Sequence, residues 1–302
     1  TVDIAATSTT SRWIDSLVIR LADREGVAVP NTNQGPRKQG KIAGGYVHEV
    51  DPGVEPWVVV LDFKSMYPSI MISNNICSTT LVRDDSEDES HSVSPTTSTR
   101  YISKEERLGL VPQLLEGLMD SRDSHKAALA KANEEGDEEE AFLQDQLQYA
   151  VKILMNSFYG VFASNFYRFT HPSLGASITE WARYNIKSII SKVEDEGHSV
   201  VYSDTDSIFV RAPIDENSPM NRPSDSGDLE KWVKAKSKSM GFGESLAERF
   251  TKEGAELEFE TALSSFFSHG AKKRYVGRVV WPREEMLIRG YEVRRTDSFQ
   301  IL

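Results

Sequence analysis

The sequence predicts an α+β fold, in which antiparallel strands pack on helices and a hairpin of two long helices is inserted between the strands. Residues 200–210 place a short polar centre between two apolar runs rich in β-branched and aromatic residues, which is the pattern of a β-hairpin. Residues 57–61 form a continuous apolar run that predicts a buried strand. Helical patterns at 109–133 and 141–160, joined by an acidic loop at 134–140, predict two antiparallel helices of about 30 Å each.

The first part of the chain adds a helix, a strand and two loops. Apolar residues recur at helical spacing over residues 11–25, and Gly26 can end this amphipathic helix. A loop rich in Pro, Gly, Asn and Lys is predicted at 31–40 and a short strand at 44–50. Pro68 predicts a tight turn into a short helix, and the polar, acid-rich residues 83–99 are expected to form a surface excursion.

The last part of the chain adds two helices and three strands around the hairpin at 200–210. A helix is predicted over 172–194, with Trp181 and Tyr184 facing inward, and a polar insertion over 213–230. The remaining predicted elements are a helix over 229–252 and strands over 256–267, 272–280 and 286–289.

Composition limits the class of protein. The 302 residues, 39% of them hydrophobic, are enough for a buried core and two subdomains. The single cysteine, Cys77, excludes a disulfide framework within the chain and a cysteine-ligated zinc site. It suits a reducing compartment, so we expect an intracellular protein, in the cytoplasm or nucleoid if the source is prokaryotic. No apolar run reaches about 18 residues and no charged-then-apolar leader is present, so no membrane partner is expected.

The net charge of −11 is unevenly distributed. Acidic residues concentrate in three runs, at 84–90, 134–140 and 213–230, which are typical of solvated loops. Outside these runs basic residues slightly outnumber acidic ones, and they cluster at 231–238, 272–274 and 294–295. A polyanion can therefore be met locally, although the total charge neither proves nor excludes nucleic acid as a partner.

Three aspartates at predicted strand ends form the first candidate site. Asp204 and Asp206 are two residues apart, so an extended backbone would point both carboxylates to the same side. Asp62 directly follows the buried run 57–61. Mg²⁺ usually takes one or two carboxylates, with substrate phosphates completing its shell. By itself an Asp-x-Asp pair is more often a solvated turn, so a metal site here depends on the other segments.

The first long helix carries two cations four residues apart, and the second carries a lysine and an asparagine at the same spacing. The first helix has Arg122 and Lys126, and the second has Lys152, Asn156, Tyr159 and Gly160 on one side. Like charges four apart repel on a helix. Two such faces that point the same way would need an anion between them, whereas separate faces would be ordinary solvated surface.

Four segments resemble motifs of family B DNA polymerases, of the kind found in archaea and in bacterial DNA polymerase II. Residues 62–70 (Asp-Phe-Lys-Ser-Met-Tyr-Pro-Ser-Ile) resemble the first polymerase motif, and residues 152–160 (Lys-Ile-Leu-Met-Asn-Ser-Phe-Tyr-Gly) resemble the Lys-x-x-x-Asn-Ser-x-Tyr-Gly helix. Residues 202–207 (Tyr-Ser-Asp-Thr-Asp-Ser) are similar to the Tyr-Gly-Asp-Thr-Asp-Ser hairpin, and residues 272–275 (Lys-Lys-Arg-Tyr) to the segment that touches primer–template. The motifs stand in the family's order, and the resemblance covers about residues 40–300.

The resemblance implies template-directed addition of deoxynucleotides to a primer 3′-hydroxyl, with two Mg²⁺ ions (or Mn²⁺ in their place) and release of pyrophosphate. It implies catalytic roles for Asp62, Asp204, Asp206 and Lys152, and metal binding by Asp62, Phe63, Asp204 and Asp206. The implied nucleotide-binding residues are Ser65, Met66, Tyr67, Arg122, Lys126, Lys152, Asn156 and Tyr159. The implied DNA-binding residues are Gly160, Lys272, Lys273, Arg274 and Tyr275. Tyr67 would exclude a ribose 2′-hydroxyl, and Glu258 or Glu260 would lie near the metals without being counted as ligands.

The resemblance also implies how the chain divides. A linker helix at 1–40 would come from an upstream exonuclease side, a palm sheet would be formed by 41–100 and 166–302, and helical-hairpin fingers by 101–165. We expect a palm-and-fingers portion without exonuclease and thumb, either excised or one subunit of a split polymerase. Its expected partners are primer–template DNA, deoxynucleoside triphosphates and the remaining exonuclease and thumb portions. The alternative is a catalytically silent fragment or subunit that binds DNA or a partner.

Overall fold

The computed structural model describes residues 10–31, 42–83, 88–164, 167–252 and 254–291. These residues belong to two compact units, one formed by Thr1–Gly44 and Ser65–Trp181 and the other by Gly45–Lys64 and Ala182–Leu302. Almost all of the loop predicted at 31–40, and the basic pair at 294–295, lie outside the described residues. Within them, no helix is both long and apolar enough to span a bilayer. The subdomain boundaries implied by the resemblance stay a prediction.

The second unit is built on a six-stranded sheet in which every neighbouring pair is antiparallel. Its strands are β1 (Gly53–Phe63), β4 (Val200–Asp204), β5 (Ser207–Arg211), β6 (Leu257–Ser268), β7 (Tyr275–Trp281) and β8 (Glu285–Arg289). They are hydrogen-bonded in the order β4-β5-β1-β6-β7-β8. The predicted α+β class, the hairpin and the predicted strands of this sheet are confirmed, although β1 begins four residues before the apolar run.

Both faces of the sheet are buried, which explains why residues 57–61 are continuously apolar. On one face Val58 and Val60 pack with Tyr202, Phe209 and other members of an aromatic cluster. On the other face lies helix α6 (Ser226–Phe250), whose Trp232 ring is 6.3 Å from that of Trp57. A Cβ on Gly243 of α6 would lie 2.4 Å from the Phe259 ring, so this close approach of helix and strand requires glycine.

The first unit is mainly helical. It contains α1 (Thr10–Arg24), α2 (Met66–Ser73), α3 (Leu110–Glu135), α4 (Glu138–Phe162) and the first part of α5 (Pro172–Asp195), with a two-stranded ribbon of β2 (Ser92–Val93) and β3 (Arg100–Tyr101). Helices α3 and α4, of 26 and 25 residues, form the predicted antiparallel pair, and α1 and α2 pack against both. At a rise of 1.5 Å per residue each long helix measures about 39 Å.

The acidic loop predicted at 134–140 is wrong. Helix α3 continues to Glu135, and Gly136 ends it in the left-handed conformation with φ 73°. Asp137 then caps α4 by accepting a hydrogen bond from the Glu140 amide at 3.0 Å. Three glutamates fill the first turn of α4, where the helix dipole favours negative charge. The connection between the two helices is therefore only Gly136 and Asp137, and the rest of the acidic run is helical.

Two further predictions are wrong. Residues 44–50 do not form a strand: in the described part of the chain their β-pairing is a single bridge between Val47 and Asp204, with one backbone hydrogen bond on either side of it. Tyr184 does not face inward: 56% of it is exposed, whereas Trp181 is buried as predicted. The helix predicted over 172–194 is confirmed as α5, but its side chains are not buried equally along its length.

Two buried polar side chains fix the loops of the first unit. Glu180 accepts hydrogen bonds from the Ser94 hydroxyl and from the Thr97 amide at 3.1 Å, so the excursion at 83–99 is tied to the core and is not only surface. Asn75 donates to the carbonyls of Ile102 and Arg107 at 2.8 and 2.9 Å. Its Oδ1 accepts from the Gly109 amide at 2.8 Å, directly before α3 begins.

Candidate active site

Two aspartates lie at the same level of the sheet, on either side of β5. Asp62 on β1 is paired with Ser207, and Asp204 on β4 is paired with the same serine. Directly opposed residues of antiparallel strands share a face, so both carboxylates lie on the face that carries Val58 and Val60. Two strand spacings separate their backbones by about 10 Å. The structure thus brings together two carboxylates that are 142 positions apart in the numbering.

This row opens onto a cavity of about 530 Å³. Acidic and basic side chains line the same space: Asp62, Asp204, Asp206 and Glu260 on the one hand, Lys273 and Arg289 on the other. A mixed lining of this kind can accept both a cation and the phosphate groups that accompany it.

The prediction of an extended backbone from Asp204 to Asp206 is wrong, although both side chains line the cavity. Thr205 is left-handed, with φ 59°, and the Asp206 amide donates to the Asp204 carbonyl at 2.7 Å. Thr205 and Asp206 therefore form the two-residue turn of the hairpin, and the Asp206 side chain is exposed. The Asp206 carbonyl accepts from the Phe63 amide at 2.9 Å, which joins the turn to the end of β1.

Asp204 is held by three side chains. Its Oδ1 accepts from Lys273 Nζ at 2.6 Å and from the Thr205 hydroxyl at 3.0 Å, and its Oδ2 lies 3.5 Å from the Tyr202 hydroxyl. The Tyr202 hydroxyl in turn accepts from the Lys273 amide at 2.9 Å. Burial raises the pKa of Tyr202 to about 12, with the Asp204 charge adding to the effect, so this phenol stays a neutral donor at physiological pH.

The segment implied to bind DNA lies at the start of β7. Lys273 contacts Asp204, as described, while Lys272 Nζ is 3.3 Å from the Val47 carbonyl and Arg274 is exposed. Burial raises the pKa of Tyr275, and a hydrogen bond from Arg289 opposes that shift. Of the four residues, the structure therefore places Lys273 and Tyr275 at the carboxylate cavity.

Sequence reasoning missed Arg289 and left Glu260 out of the ligand set. Glu260 lies at an irregularity of the β1–β6 ladder, since Val60 pairs with Thr261 and Leu61 with Phe259, so the register of the ladder shifts at Glu260. A bulge of this kind re-aims a side chain, often beside an active site. The imperfect alternation of residues 256–267 was its only sequence signal. Arg289 carries no local signal, because it reaches the cavity through the pairing of β8 with β7.

The carboxylates of this cavity fit a divalent ion whose coordination shell a bound substrate would complete. Among the described residues, no group of three or more His, Cys, Asp or Glu side chains is placed to hold a metal without further ligands. Asp62 and Asp204 nevertheless face one cavity, and the Lys273 ammonium on Asp204 shows that a cation is accommodated there. Two carboxylates suffice for Mg²⁺ when phosphates and water supply the remaining oxygens.

The first unit contains the aromatic and basic residues implied to bind the nucleotide. The Tyr67 ring on α2 stacks on the Tyr159 ring of α4, with centroids 4.5 Å apart and planes at 29°. Ser65 precedes α2 in the left-handed conformation, and its hydroxyl accepts from Arg122 Nη1 at 3.3 Å. Arg122 Nε is buried and has no hydrogen-bond partner in the described part of the chain.

The register of the helical hairpin separates the implied triphosphate ligands. His125 Nδ1 lies 2.6 Å from Gln144 Oε1, which places Lys152 at the level of Gly117. Arg122 is five residues further along α3, an axial offset of about 7–8 Å, and Lys126 is nine residues further, at about 13–14 Å. Arg122 is thus nearer than Lys126 to the level of Lys152.

The other implied residues are placed as follows. Met66 is buried at the start of α2, and Lys152, Asn156 and Gly160 are exposed on α4. Ser203, which stands where the family motif has glycine, is buried, and its hydroxyl has no partner among the described residues.

Comparison with known proteins agrees with this architecture. The family model described as DNA polymerase family B matches residues 1–302. The chain is 31% identical over 301 residues to the DNA polymerase of Desulfurococcus sp. (strain Tok), covering 97% of this chain and 35% of that protein. It is 28% identical over 285 residues to DNA polymerase II of Escherichia coli (strain K12), covering 91% of this chain and 33% of that protein.

A solved structure shows the same fold. The family B DNA polymerase from the hyperthermophilic archaeon Pyrobaculum calidifontis superimposes with a TM-score of 0.64 at 26% identity, over 95% of this chain and 33% of that one. The chain therefore spans about a third of the length of the relatives it matches. With the family model matching its full length, this chain belongs to DNA polymerase family B.

Proposed function

We propose that this chain is the catalytic portion of a template-directed DNA polymerase, which adds deoxynucleotides to a primer 3′-hydroxyl and releases pyrophosphate. The observation that carries the proposal is the row of Asp62, Ser207 and Asp204, which opens onto a cavity that Lys273 and Arg289 also line. Membership of the family supports the activity.

The second unit would hold the divalent ions. Asp62 and Asp204 are the proposed ligands of Mg²⁺ or Mn²⁺, with Asp206 at the turn and Phe63 at the end of β1 beside them. Bound there, the ions would neutralise charge on the attacking and leaving oxygens of an in-line phosphoryl transfer. Tyr202 and Thr205 orient Asp204 through the contacts described above.

The same unit would also bind the primer–template. Lys272, Lys273 and Arg274, with Tyr275 and with Gly160 of the first unit, are the proposed DNA contacts. Lysine and arginine contacts to phosphates position a duplex without reading its bases, so these residues would bind any sequence.

The first unit would bind the deoxynucleoside triphosphate. Arg122 is the proposed phosphate ligand, because its guanidinium lies beside Ser65 at the start of α2 and a guanidinium can bind phosphate oxygens in a bidentate manner. Lys152 and Lys126 would act as point charges, and Asn156, Ser65 and Met66 would complete the contacts. Tyr67, fixed by its stacking on Tyr159, would lie under the sugar and exclude a 2′-hydroxyl.

Primer extension tests the proposal. A labelled primer–template, one deoxynucleotide and Mg²⁺ are incubated with the parent chain and with Asp62→Ala, Asp204→Ala, Asp206→Ala and the control Asp145→Ala, which alters an exposed aspartate of α4. We expect Asp62→Ala and Asp204→Ala to lose about a thousandfold or more of the rate, since each removes a proposed metal ligand. Asp206→Ala should lose less, and Asp145→Ala should match the parent.

If the parent chain shows no extension, the regions of its relatives that lie outside the matched third are added in trans. Extension restored by them would support the proposal for the assembled protein. No extension from a folded and complete assembly would contradict it and favour the catalytically silent alternative.

A further inference from the structure

The contact between Lys273 and Asp204 is built into the fold. Lys273 has φ 65°, a left-handed conformation that costs a non-glycine residue energy. Its amide is held by the Tyr202 hydroxyl at 2.9 Å. Its carbonyl lies only 2.0 Å from where a Cβ on Gly290 would be, so glycine is needed at the end of β8 for this approach. Two neighbouring segments thus hold the Lys273 backbone in place.

The lysine head itself is easily moved. The Lys273 side chain is 61% exposed, whereas Asp204 is 19% exposed. An ammonium on a flexible, solvated stem gives up an ion pair at little cost, because exposed pairs are weak and water replaces the lost contact. Asp204, by contrast, remains fixed by Thr205 and Tyr202 when the ammonium leaves.

The ammonium and a divalent ion compete for the same oxygen. Lys273 Nζ lies 2.6 Å from Asp204 Oδ1, and together with the Thr205 hydroxyl it takes both acceptor positions of that oxygen. Even without direct overlap, like charges a few ångströms apart repel strongly where the surroundings are partly dry. A phosphate group in the same cavity would attract the displaced ammonium.

We propose that Lys273 is a resident counter-ion of Asp204 which a divalent cation displaces, so that Lys273 lowers the metal affinity of the free protein and is released toward a phosphate when metal binds. Lys273 is then a positioning residue for Asp204 and couples metal binding to the arrival of a phosphate-bearing substrate. This inference rests on the proposed metal site.

Mn²⁺ binding without substrate tests the inference. Free Mn²⁺ is titrated by electron paramagnetic resonance into the 302-residue chain, in the absence of DNA and nucleotide, for the parent, Lys273→Met and Lys272→Met. We expect Lys273→Met to lower the Kd by about three- to tenfold, because the competing charge is gone. Lys272→Met is the matched control, since it removes the same charge from the neighbouring lysine, whose Nζ contacts the Val47 carbonyl and not Asp204. The Kd of this variant for Mn²⁺ should differ less than twofold from that of the parent.

The outcomes separate this inference from the metal proposal. Equal changes in the two methionine variants would overturn the role of Lys273 while leaving the metal site standing. If the parent binds no Mn²⁺, or if Asp204→Ala binds Mn²⁺ as tightly as the parent, both the role of Lys273 and the proposed metal site are overturned. If Lys273→Met does not fold, nuclear magnetic resonance of the lysine side chains in the parent decides: Mg²⁺ should shift the Lys273 ammonium signal more than that of Lys272, and equal shifts would overturn the inference.

Discussion

At the scale of single residues, Tyr67 shows how packing can prepare a side chain for selectivity. Its ring is stacked on Tyr159 at 4.5 Å, so it cannot swing away from the start of α2 without breaking an aromatic contact between two helices. A rigid wall can reject a substrate that is larger by one hydroxyl, whereas a mobile one yields. The resemblance assigns this wall to the sugar of the incoming nucleotide.

We predict that Tyr67→Ala loosens sugar selection. The ratio of kcat/KM for deoxynucleotide over ribonucleotide should fall by about ten- to a hundredfold, the range over which a packed wall rejects an added hydroxyl. The measurement is competitive single-nucleotide extension, with the exposed Tyr149→Ala as the control. A ratio unchanged in a folded Tyr67→Ala variant would contradict the role given to this ring.

The residue scale also shows what the local sequence can and cannot predict. Apolar runs that end in a carboxylate mark Asp62 and Asp204 as candidates, but their common face follows from the pairing of both residues with Ser207, which no local stretch encodes. The direction of Asp206 does not follow, because it depends on whether Thr205 is extended or left-handed. The contact of Lys273 with Asp204 depends on the pairing of β6, β7 and β8 across the sheet, which no short stretch of sequence encodes.

At the scale of elements, the start of α3 depends on one buried amide. Asn75 is 1% exposed and left-handed, and it satisfies two carbonyls and one amide that lie 27 to 34 positions later in the chain. The segment from 102 to 109 has no strand or helix of its own, and this side chain pairs two of its carbonyls and one of its amides. Neither Asn75 nor this dependence was visible from the sequence, since the partners have no common pattern.

We predict that Asn75→Ala lowers the free energy of unfolding by about 3 kcal/mol. The substitution leaves buried carbonyls and an amide without partners and puts alanine in a left-handed conformation. Urea denaturation followed by circular dichroism measures the loss, with the exposed Asn133→Ala of α3 as the control. A loss below about 1 kcal/mol would show that water replaces these bonds, contrary to this account.

The elements themselves were largely predictable, and the failures have physical reasons. The hairpin, the strands of the main sheet and the long helices follow from periodicity. The high charge of residues 134–140 favours a loop, but Asp137 and the glutamates after it are favourable at a helix start. The strand predicted at 44–50 is wrong because, among the described residues, the segment pairs with its neighbour at a single bridge, between Val47 and Asp204, and not along a ladder.

At the scale of the whole molecule, buried tyrosines make the fold sensitive to alkali. Burial raises the pKa of Tyr101, Tyr202 and Tyr275, and these residues lie in both units. The unfolded chain ionises its tyrosines near their ordinary pKa of about 10, while the folded chain resists. Stability from this source is complete below pH 10 and is lost as the pH rises through the folded values.

We predict that the free energy of unfolding falls between about pH 10 and 12, and that Tyr101→Phe makes this fall shallower because a phenylalanine cannot ionise. Urea denaturation at pH 8, 10 and 11 provides the comparison, and the exposed Tyr149→Phe is the control. Equal slopes for the parent and Tyr101→Phe would show that burial of Tyr101 does not contribute to the loss.

The proposed polymerase activity requires that Asp62 and Asp204 hold a divalent ion at the end of the sheet. Iron-directed cleavage tests this claim directly: Fe²⁺ replaces Mg²⁺ in the 302-residue chain, and ascorbate with peroxide generates radicals that cut the backbone beside the bound ion. We predict cuts near residues 62 and 204 that excess Mg²⁺ suppresses and that the Asp62→Ala/Asp204→Ala double variant lacks. Cuts elsewhere, or cuts that persist in the folded double variant, would contradict the account.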